Sequence, residues 1–289
     1  MASSFGVSSD LAVAARLDLA LTLPPFGLSR REAKRALEGG LVLLDSRPVA
    51  VASRVARAGA HVTLLVPDAE IPLLHIDERF IVADKPAAIP TQPSPGSSNP
   101  SLLEVVAAMM KRRGEASELF LVHRLDTNTT GVIAFARTRQ ASDRLSKLIS
   151  GGTSEKVYRA IVVGRVDTPM TIDAPIARLA GNLFHIHDSG KPSRSEVSVL
   201  AAGDRASLVE VRIATGRTHQ IRVHMTHIGH PVLGDRKYGA ALQLSMRPAR
   251  PMLHALRLGL PGIGVFTAPI PADFEAVTRE LGLGAVTAT

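Results

Sequence analysis

The chain has 289 residues, 45% of them hydrophobic, and its 34 Lys and Arg against 26 Asp and Glu leave a net charge of +8. This basic balance favours a polyanionic partner, most simply nucleic acid, over a charge that serves solubility alone. The lack of cysteine excludes disulfides, thiolate catalysis and cysteine-type zinc sites. No long apolar run and no apolar leader after Met1 are present, so we expect a soluble cytoplasmic protein without membrane contact.

The first predicted elements form a small unit over residues 10–67. Ser29 and Glu32 have the spacing of a capping box, which predicts a helix that begins there and ends at Gly39-Gly40. Apolar runs at 41–44 and 61–66, with a polar turn at 45–48 after the first of them, predict strands. These elements indicate a compact helix-and-strand domain.

Basic residues cluster on the short helix of this unit, namely Arg30, Arg31, Lys34 and Arg35. Three- and four-residue spacing brings them onto one part of the helix surface. An ordinary solvated face is the alternative interpretation. The strings Arg16-Leu17-Asp18 and Leu28-Ser29-Arg30, and more loosely Glu38–Val42, resemble the S4 RNA-binding module. The resemblance implies an S4-like RNA-binding domain whose four clustered basic residues bind RNA.

A linker is expected over residues 68–75, and residues 76–289 are predicted to form one larger domain. The predicted elements are a strand at 80–85 ended by Pro86, a Pro- and Ser-rich loop at 89–100, helices at 102–113 and 138–150, strands at 156–163, 183–187, 195–201 and 207–213, a short helix after Thr218, strands near 253–260 and 263–268, and a helix at 272–282. Ser101 and Glu104 form a second capping box at the start of the first of these helices. Strands that follow strands indicate an α+β fold with a mixed, mostly antiparallel sheet and flanking helices.

One carboxylate stands out in the string His123-Arg124-Leu125-Asp126-Thr127-Asn128-Thr129-Thr130-Gly131. Apolar runs at 119–122 and 132–136 flank the string and predict buried strands. Asp126 therefore lies on a short loop between rigid elements, where a scaffold can direct a reactive group. The alternative is an aspartate that only caps its own turn.

Two later strings add further candidates. Tyr158 alternates with apolar residues along a predicted strand at 155–164, where a tyrosine packed in the sheet is the alternative. In 215–224, Ile221 falls at helical spacing toward the core, whereas Arg222 lies on another face of the predicted helix. No Gly-rich nucleotide-binding loop follows a strand, so we expect no nucleotide cofactor.

Together these strings resemble the RluA-type pseudouridine synthases. They match the His-Arg-Leu-Asp motif, the Lys-x-Tyr-x-Ala-x-Val-x-Gly strand and the Gly-Arg-x-His-Gln-Ile-Arg-x-His string of that family. The departures from the family pattern, at Ala88, Thr130 and Arg137, leave the acidic, aromatic and basic candidates untouched. The resemblance implies the pseudouridine synthase fold and an isomerase that converts uridine in RNA to pseudouridine, without cofactor or metal.

The resemblance also implies roles for individual residues. Asp126 is expected to be the nucleophile or base, and attack at C1′, attack at C6 and removal of the C2′ proton all stay open. Arg222 is implied as its ionic partner, and Tyr158 as the platform for the target base and a candidate proton acceptor. His123 and Arg124 are expected to help open the RNA helix and hold the loop, and Arg217 to contact RNA.

The substrate implied by an S4-like domain ahead of this catalytic domain is large-subunit (23S) ribosomal RNA, with transfer RNA as the alternative. We expect the enzyme to act as a monomer. Two rival functions are a non-catalytic S4-type RNA-binding protein and a metal hydrolase built from Asp126 with His219, His224, His227 and His230. A non-catalytic RNA-binding protein would not need Asp126, Tyr158 and Arg222 to be intact. In the second, His219 and His230 are too far apart along one helix to converge unaided.

Overall fold

The computed structural model describes residues 6–24, 26–28, 30–38, 42–45, 47–65, 71–93, 100–116, 118–239, 246 and 248–284. They form two compact units, the first from residues 1–71 and 86–117 and the second from residues 72–85 and 118–289. The predicted linker at 68–75 overlaps a strand that begins at Leu73. The boundaries of the predicted domains stay predictions.

The first unit combines short strands with three helices. Its elements are β1 (Gly6–Asp10), β2 (Ala15–Arg16), α1 (Leu17–Ala20), α2 (Arg30–Glu38), β3 (Val42–Leu44), β4 (Arg47–Pro48), β5 (Val55–Ala56), β6 (His61–Leu65) and α3 (Leu102–Arg112). Strands β1, β6, β3 and β4 pair antiparallel in that order, and β2 pairs with β5. Side chains of α1, α2 and the sheet, such as Leu17, Leu37 and Val62, form a buried core.

Helix α2 is amphipathic, as its sequence predicts. Ala33, Ala36 and Leu37 are buried on one side, whereas Arg30, Arg31 and Lys34 are exposed. Lys34 Nζ lies 3.7 Å from the Glu38 carboxylate, and an exposed pair of this kind adds little stability. The predicted cap residue Ser29, the stop at Gly39-Gly40 and the side chains of Glu32 and Arg35 lie outside the described residues.

Helix α3 begins as the sequence predicts. The Ser101 hydroxyl accepts a hydrogen bond from the backbone N–H of Glu104, and the Glu104 side chain accepts one from the backbone N–H of Ser101. This reciprocal capping box satisfies two N–H groups that a helix start would otherwise leave unpaired. Residues 94–99 of the predicted Pro- and Ser-rich loop lie outside the described residues.

The second unit is built on a ten-stranded sheet. Its strands are β7 (Leu73–Ile76), β8 (Phe80–Lys85), β9 (Phe120–Leu121), β10 (Thr130–Ala136), β11 (Glu155–Val163), β12 (Met170–Asp173), β13 (Ile176–Ala180), β14 (Leu183–Ile186), β15 (Arg194–Ala202), β16 (Ala206–Ile213), β17 (Leu253–Leu260) and β18 (Gly264–Thr267). The main path runs β12-β15-β16-β11-β17-β10-β8-β7, with β18 on β17 and β9 on β10, while β13 and β14 form a separate hairpin. Among the described pairs, β10 with β17 is parallel and the others are antiparallel. The predicted mixed, mostly antiparallel sheet is confirmed.

Helices cover both faces of this sheet. They are α4 (Arg139–Ser150), α5 (Gln220–His227) and α6 (Ala272–Glu280). Along β11, Ala160 packs in the same core cluster as Ile221 of α5, whereas Ile161 packs with Phe274 of α6. Because successive side chains of a strand point to opposite faces, α5 and α6 lie on opposite sides of the sheet.

Strand β10 explains how a polar loop can be held rigidly. Every residue of the strand is buried, and it pairs with β8 on one edge and β17 on the other. Gly131 has φ 111°, and a Cβ atom there would lie 2.0 Å from the carbonyl oxygen of Ala255 in β17. Glycine is therefore required where the loop enters the sheet, since any side chain would separate the two strands.

Candidate active site

A buried lysine hydrogen-bonds the backbone of the loop at 126–129. Lys85, at the end of β8, donates hydrogen bonds from Nζ to the carbonyl oxygens of Thr127 at 2.8 Å and Thr129 at 3.0 Å. The backbone N–H of Thr129 also bonds the carbonyl of Asp126 at 3.0 Å, which closes the turn. The backbone that carries the Asp126 side chain is thus fixed by contacts that leave its carboxylate free for other partners.

The Asp126 carboxylate pairs with an arginine from a distant helix instead of capping its own turn. Arg222 Nη1, on α5, donates to Asp126 Oδ2 at 2.8 Å. The Asp126 side chain is 25% exposed, so the pair lies at the surface of a cavity rather than inside the core. The structure therefore brings together the two residues that the sequence predicts as ionic partners.

A second aspartate fixes the orientation of this arginine. Asp235 accepts two hydrogen bonds from Arg222, at 2.6 Å from Nε and 2.9 Å from Nη2. This bidentate arrangement suits the planar guanidinium and leaves Nη1 for Asp126. Burial lowers the pKa of Arg222, but its bonds to Asp235 and Asp126 outweigh burial and raise the pKa above its ordinary value. The guanidinium therefore stays charged.

Tyr158 lies in the same cavity, on β11. The pairing of β11 with β17 shifts register between Val157 and Tyr158. Burial, and then the charge of Asp126, raise the pKa of the Tyr158 hydroxyl. The ring presents a flat apolar surface to the cavity, and the roles of Tyr158 as base platform and as proton acceptor stay predictions.

The cavity gathers most of the predicted site residues of the second unit. Its lining comprises Arg124, Leu125, Asp126, Thr129, Tyr158, Ile213, Gly216, Arg217, His219, Gln220, Ile221, Arg222 and Leu253. Arg124 and Arg217 are exposed, and Arg217 Nε donates to the carbonyl of Pro192 at 3.2 Å. Three arginines around one carboxylate make the cavity attractive to an anionic ligand.

His123 occupies a different position from the one expected of an RNA-contacting residue. Its Nε2 accepts a hydrogen bond from the backbone N–H of Ala134 in β10 at 3.0 Å, and His123 is not part of the cavity lining. Burial, with a further contribution from Lys156, lowers the pKa of His123 to about 4, so the ring is neutral. This contact stabilises the chain before the loop, and the predicted strand at 119–122 is shortened to Phe120–Leu121.

Two further residues of the site, Asp235 and Tyr238, were not singled out from the sequence. His219 Nδ1 lies 2.6 Å from the Tyr238 hydroxyl, and His219 Nε2 lies 3.9 Å from Asp126 Oδ1. No functional role was predicted for Tyr238 or Asp235 from the sequence. No sequence pattern distinguishes a buried functional carboxylate such as Asp235 from an exposed one, so only the three-dimensional contacts identify it.

The histidines of the rival metal-hydrolase interpretation do not converge. His224 contacts the Ser195 hydroxyl and the Ala174 carbonyl, and His230 contacts the Val163 carbonyl. Within the part of the chain that the structure describes, no group of three or more His, Asp or Glu side chains could hold a metal ion. Within the same residues, no helix is long and apolar enough to cross a lipid bilayer.

The buried Lys85 leads to a testable pH dependence. Burial lowers its pKa to about 7, whereas the ordinary value is 10.5. Above pH 10.5 the amine is neutral in both states, and as the pH falls toward 7 the unfolded chain takes up a proton that the folded chain does not. We therefore expect the free energy of unfolding of the wild type, relative to Lys85→Met, to fall as the pH falls from 10 to 7.

Denaturant unfolding at several pH values would measure this difference. Lys147→Met is the matched control, because Lys147 is exposed on α4, and its curve should run parallel to that of the wild type. Parallel curves for Lys85→Met as well would contradict the argument.

Comparisons with known proteins agree on one family. The family model described as RNA pseudouridylate synthase matches residues 79–227. An uncharacterized RNA pseudouridine synthase of Chloroflexus aurantiacus is 37% identical, over 93% of this chain and 90% of that protein. Ribosomal large subunit pseudouridine synthase D of Haemophilus influenzae is 32% identical, over 92% of this chain and 91% of that protein. The solved structure of human RNA pseudouridylate synthase domain containing 4 has a TM-score of 0.64 at 24% identity, over 75% of this chain and 95% of that one, which shows a common fold.

Proposed function

This chain belongs to the RNA pseudouridylate synthase family and is an isomerase, and on that premise we propose that it converts specific uridines of 23S ribosomal RNA to pseudouridine with Asp126 as the catalytic carboxylate. The observation that carries the proposal is the ion pair of Asp126 with Arg222, 2.8 Å apart, in a cavity bordered by Tyr158. The reaction breaks the N1–C1′ bond and forms a C5–C1′ bond. A proton leaves C5 and one is gained at N1, so the atoms balance without a cofactor.

Asp126 has a chemistry that suits each route open to this reaction. An ionised carboxylate can attack C1′ or C6, or can accept the C2′ proton, and every route needs close approach in a site that limits water. Arg222 binds Oδ2, so that Oδ1 is the oxygen available to the substrate.

Tyr158 suits the role of a platform for the target base. A base extruded from RNA loses its stacking neighbours, and an aromatic ring in the enzyme can replace them. Base stacking on an aromatic side chain contributes roughly 1–3 kcal/mol per base. Arg124 and Arg217, exposed residues of the cavity lining, are proposed to bind phosphates of the RNA. We assign His123 to holding the loop, because its ring is bound to the backbone of β10.

The choice of ribosomal RNA rests on the names of relatives. Proteins of Pseudomonas aeruginosa and Nitrosomonas europaea that match 73% of this chain are also named ribosomal large subunit pseudouridine synthase D. An enzyme with this substrate would act in the cytoplasm, and we expect it to act as a monomer.

Mapping pseudouridine in total RNA from cells with and without this protein tests the proposal. We expect individual 23S sites to disappear and transfer RNA sites to persist. Loss confined to transfer RNA would instead support the alternative substrate.

The first unit is proposed to supply RNA affinity as an S4-like module. Exposed Arg30, Arg31 and Lys34 lie together on α2, with Arg35 on the same helix. Replacing all four by Gln should weaken binding of a 23S fragment and lower the slope of log affinity against log salt by up to about 3, because fewer counterions are released. Filter binding at several salt concentrations measures the slope.

Arg165→Gln provides the control for this variant. Arg165 is exposed but already paired with Asp167 and Asp204, so the change should leave the slope near that of the wild type. An unchanged slope in the fourfold variant would contradict RNA binding by α2 and would favour the alternative, an ordinary solvated helix face.

A further inference from the structure

One turn contacts both side chains that lie beside the Asp126 carboxylate, namely Arg222 and His219. Asp235 accepts hydrogen bonds from the backbone N–H of Lys237 at 2.9 Å and of Tyr238 at 3.3 Å, which organises the turn at 235–239. From this turn Asp235 binds Arg222, and Tyr238 contacts His219. Resting on the proposed function of Asp126, we propose that His219 is a substrate-positioning residue, a neutral N–H donor to an oxygen atom of the target uridine, and that Tyr238 fixes its tautomer.

The two oxygens of the Asp126 carboxylate have different surroundings. Oδ2 is bound by Arg222 at 2.8 Å, whereas Oδ1 faces His219 Nε2 at 3.9 Å. A separation of 3.9 Å is too long for a hydrogen bond. Among the described residues no other donor bonds Oδ1, so this oxygen keeps its lone pairs for the substrate. The His219 nitrogen beside it is equally free to bind what Oδ1 approaches.

The contacts behind His219 favour one position for the ring proton. The backbone N–H of Phe184 can only donate, and it bonds the Tyr238 hydroxyl oxygen at 3.1 Å. The Tyr238 oxygen lies 2.6 Å from His219 Nδ1, and we assign the hydroxyl as the donor of this bond because its oxygen already accepts from Phe184. With Nδ1 as the acceptor, a neutral ring carries its proton on Nε2, the nitrogen that faces Asp126.

The neutral form of His219 is consistent with its surroundings. Burial lowers its pKa to about 4; Asp126 acts to raise the pKa, and Arg222 to lower it. A neutral imidazole beside a guanidinium adds no second positive charge. It can donate one hydrogen bond without pairing with the carboxylate and reducing its reactivity.

Packing holds the His219 ring in place. The residue has φ 57°, in the left-handed region, directly before α5. The rings of Phe184 and Tyr238 contact it edge-on, with centroids 5.6 Å and 5.4 Å away. The Arg222 guanidinium lies over the Tyr238 ring at 5.1 Å. A strained backbone supported in this way is typical of residues whose side chain must be directed.

The distance between Nε2 and Oδ1 limits what His219 can recognise. A substrate atom in contact with Asp126 Oδ1 lies within a few ångströms of the His219 N–H. The oxygen atoms of the uridine ribose or base next to that atom are therefore the acceptors that the N–H can bind. An N–H donor fixed in advance at a reacting centre stabilises negative charge without reorganisation. His219 would therefore align the nucleotide at Asp126.

Single-turnover kinetics with saturating enzyme test the proposal. His219→Asn tolerates the left-handed backbone but is too short to place an N–H at the Nε2 position, and its rate should fall about 100-fold. His219→Gln restores the reach and should recover part of the rate. Tyr238→Phe keeps the ring but loses the hydroxyl, and its rate should fall about 10-fold. The affinity for RNA should change little in all three variants.

A spectroscopic readout separates positioning from mere packing. Nitrogen-15 NMR of histidine-labelled protein should show His219 as the Nε2–H tautomer in the wild type and a change of tautomer in Tyr238→Phe. His227→Gln, at an exposed position of α5, is the control and should match the wild type in rate. If the His219 variants fail to fold, the rate of Tyr238→Phe and the nitrogen-15 spectrum of the wild type still test the positioning role of His219.

Two outcomes would overturn the proposal: wild-type rates in His219→Asn and Tyr238→Phe, or an Nδ1–H tautomer in the wild type. Activity that survives in Asp126→Asn would instead remove the proposed function. These outcomes distinguish a failure of the positioning role of His219 from a failure of the catalytic role of Asp126.

Discussion

Asp126→Asn is expected to abolish pseudouridine formation, with a loss of at least about 10³-fold in single-turnover rate. The amide has the shape of the carboxylate but lacks the charge that attack or proton removal requires. Folding should be preserved, because Arg222 keeps its two hydrogen bonds to Asp235. RNA affinity should also be preserved, since the substitution removes no positive charge. Pseudouridine formation in a transcribed 23S fragment measures the rate, and filter binding measures the affinity.

Asp143→Asn is a suitable control for this substitution, since it makes the same chemical change at an exposed position of α4. It should leave the rate and the melting temperature unchanged. If Asp126→Asn still modified every site, Asp126 would have no place in the mechanism. A variant that failed to bind RNA would instead indicate that the loop serves recognition.

Asp235→Ala should be the most destabilising of the single substitutions considered, by about 3–5 kcal/mol, because it leaves a buried guanidinium without its bidentate partner. The Asp235 side chain is 1% exposed, so water cannot readily replace it. We also expect activity to fall, since Arg222 would no longer be held toward Asp126. Denaturant unfolding measures the first effect, and single-turnover kinetics at a temperature where the variant is folded measure the second.

The ion pair of Arg250 with Asp273, also in the second unit, is the comparison for the pair of Arg222 with Asp235. Arg250 donates to Asp273 at 2.7 Å from Nε and 2.8 Å from Nη2, in the same bidentate arrangement, but the Asp273 side chain is 52% exposed. Asp273→Ala should therefore be less destabilising, because removal of a half-exposed carboxylate lets water approach from its side and Arg250 Nη1 keeps its bonds to the carbonyls of Pro251 and Leu253. The variant should retain activity when folded. Equal losses of stability in the two variants would mean that burial does not determine the cost.

Several elements of the second unit could be predicted from the sequence because each has a strong local signal. Strand β8 has the predicted bounds of 80–85, and helix α4 begins after Thr138, whose hydroxyl caps it. The apolar run of β10 is buried on both faces, which is what an unbroken apolar run predicts. The placement of Asp126 near Arg222 followed from the family resemblance and not from these local signals.

Other parts of the fold have no such signal. Strands β12 and β13 have only four and five residues and are largely exposed, so each is too short for hydrophobic periodicity to identify it. Strand β7 lies in the predicted linker because its pairing with β8 depends on a neighbour and not on its own residues. The contacts of His123, Asp235 and His219 join residues 11 to 19 positions apart that lie on different elements. A periodic pattern within one element does not encode such contacts.

The reacting centre consists of segments that are remote along the chain. Asp126 and Arg222 are 96 residues apart, and strands β11 and β17 must pair before Tyr158 and the 126–129 loop can border one cavity. A nascent chain that has not yet been synthesised beyond α5 carries the carboxylate without its cation. Under the proposed function, Asp126 therefore gains its cationic partner only after α5 has been synthesised, so activity depends on nearly the whole second unit.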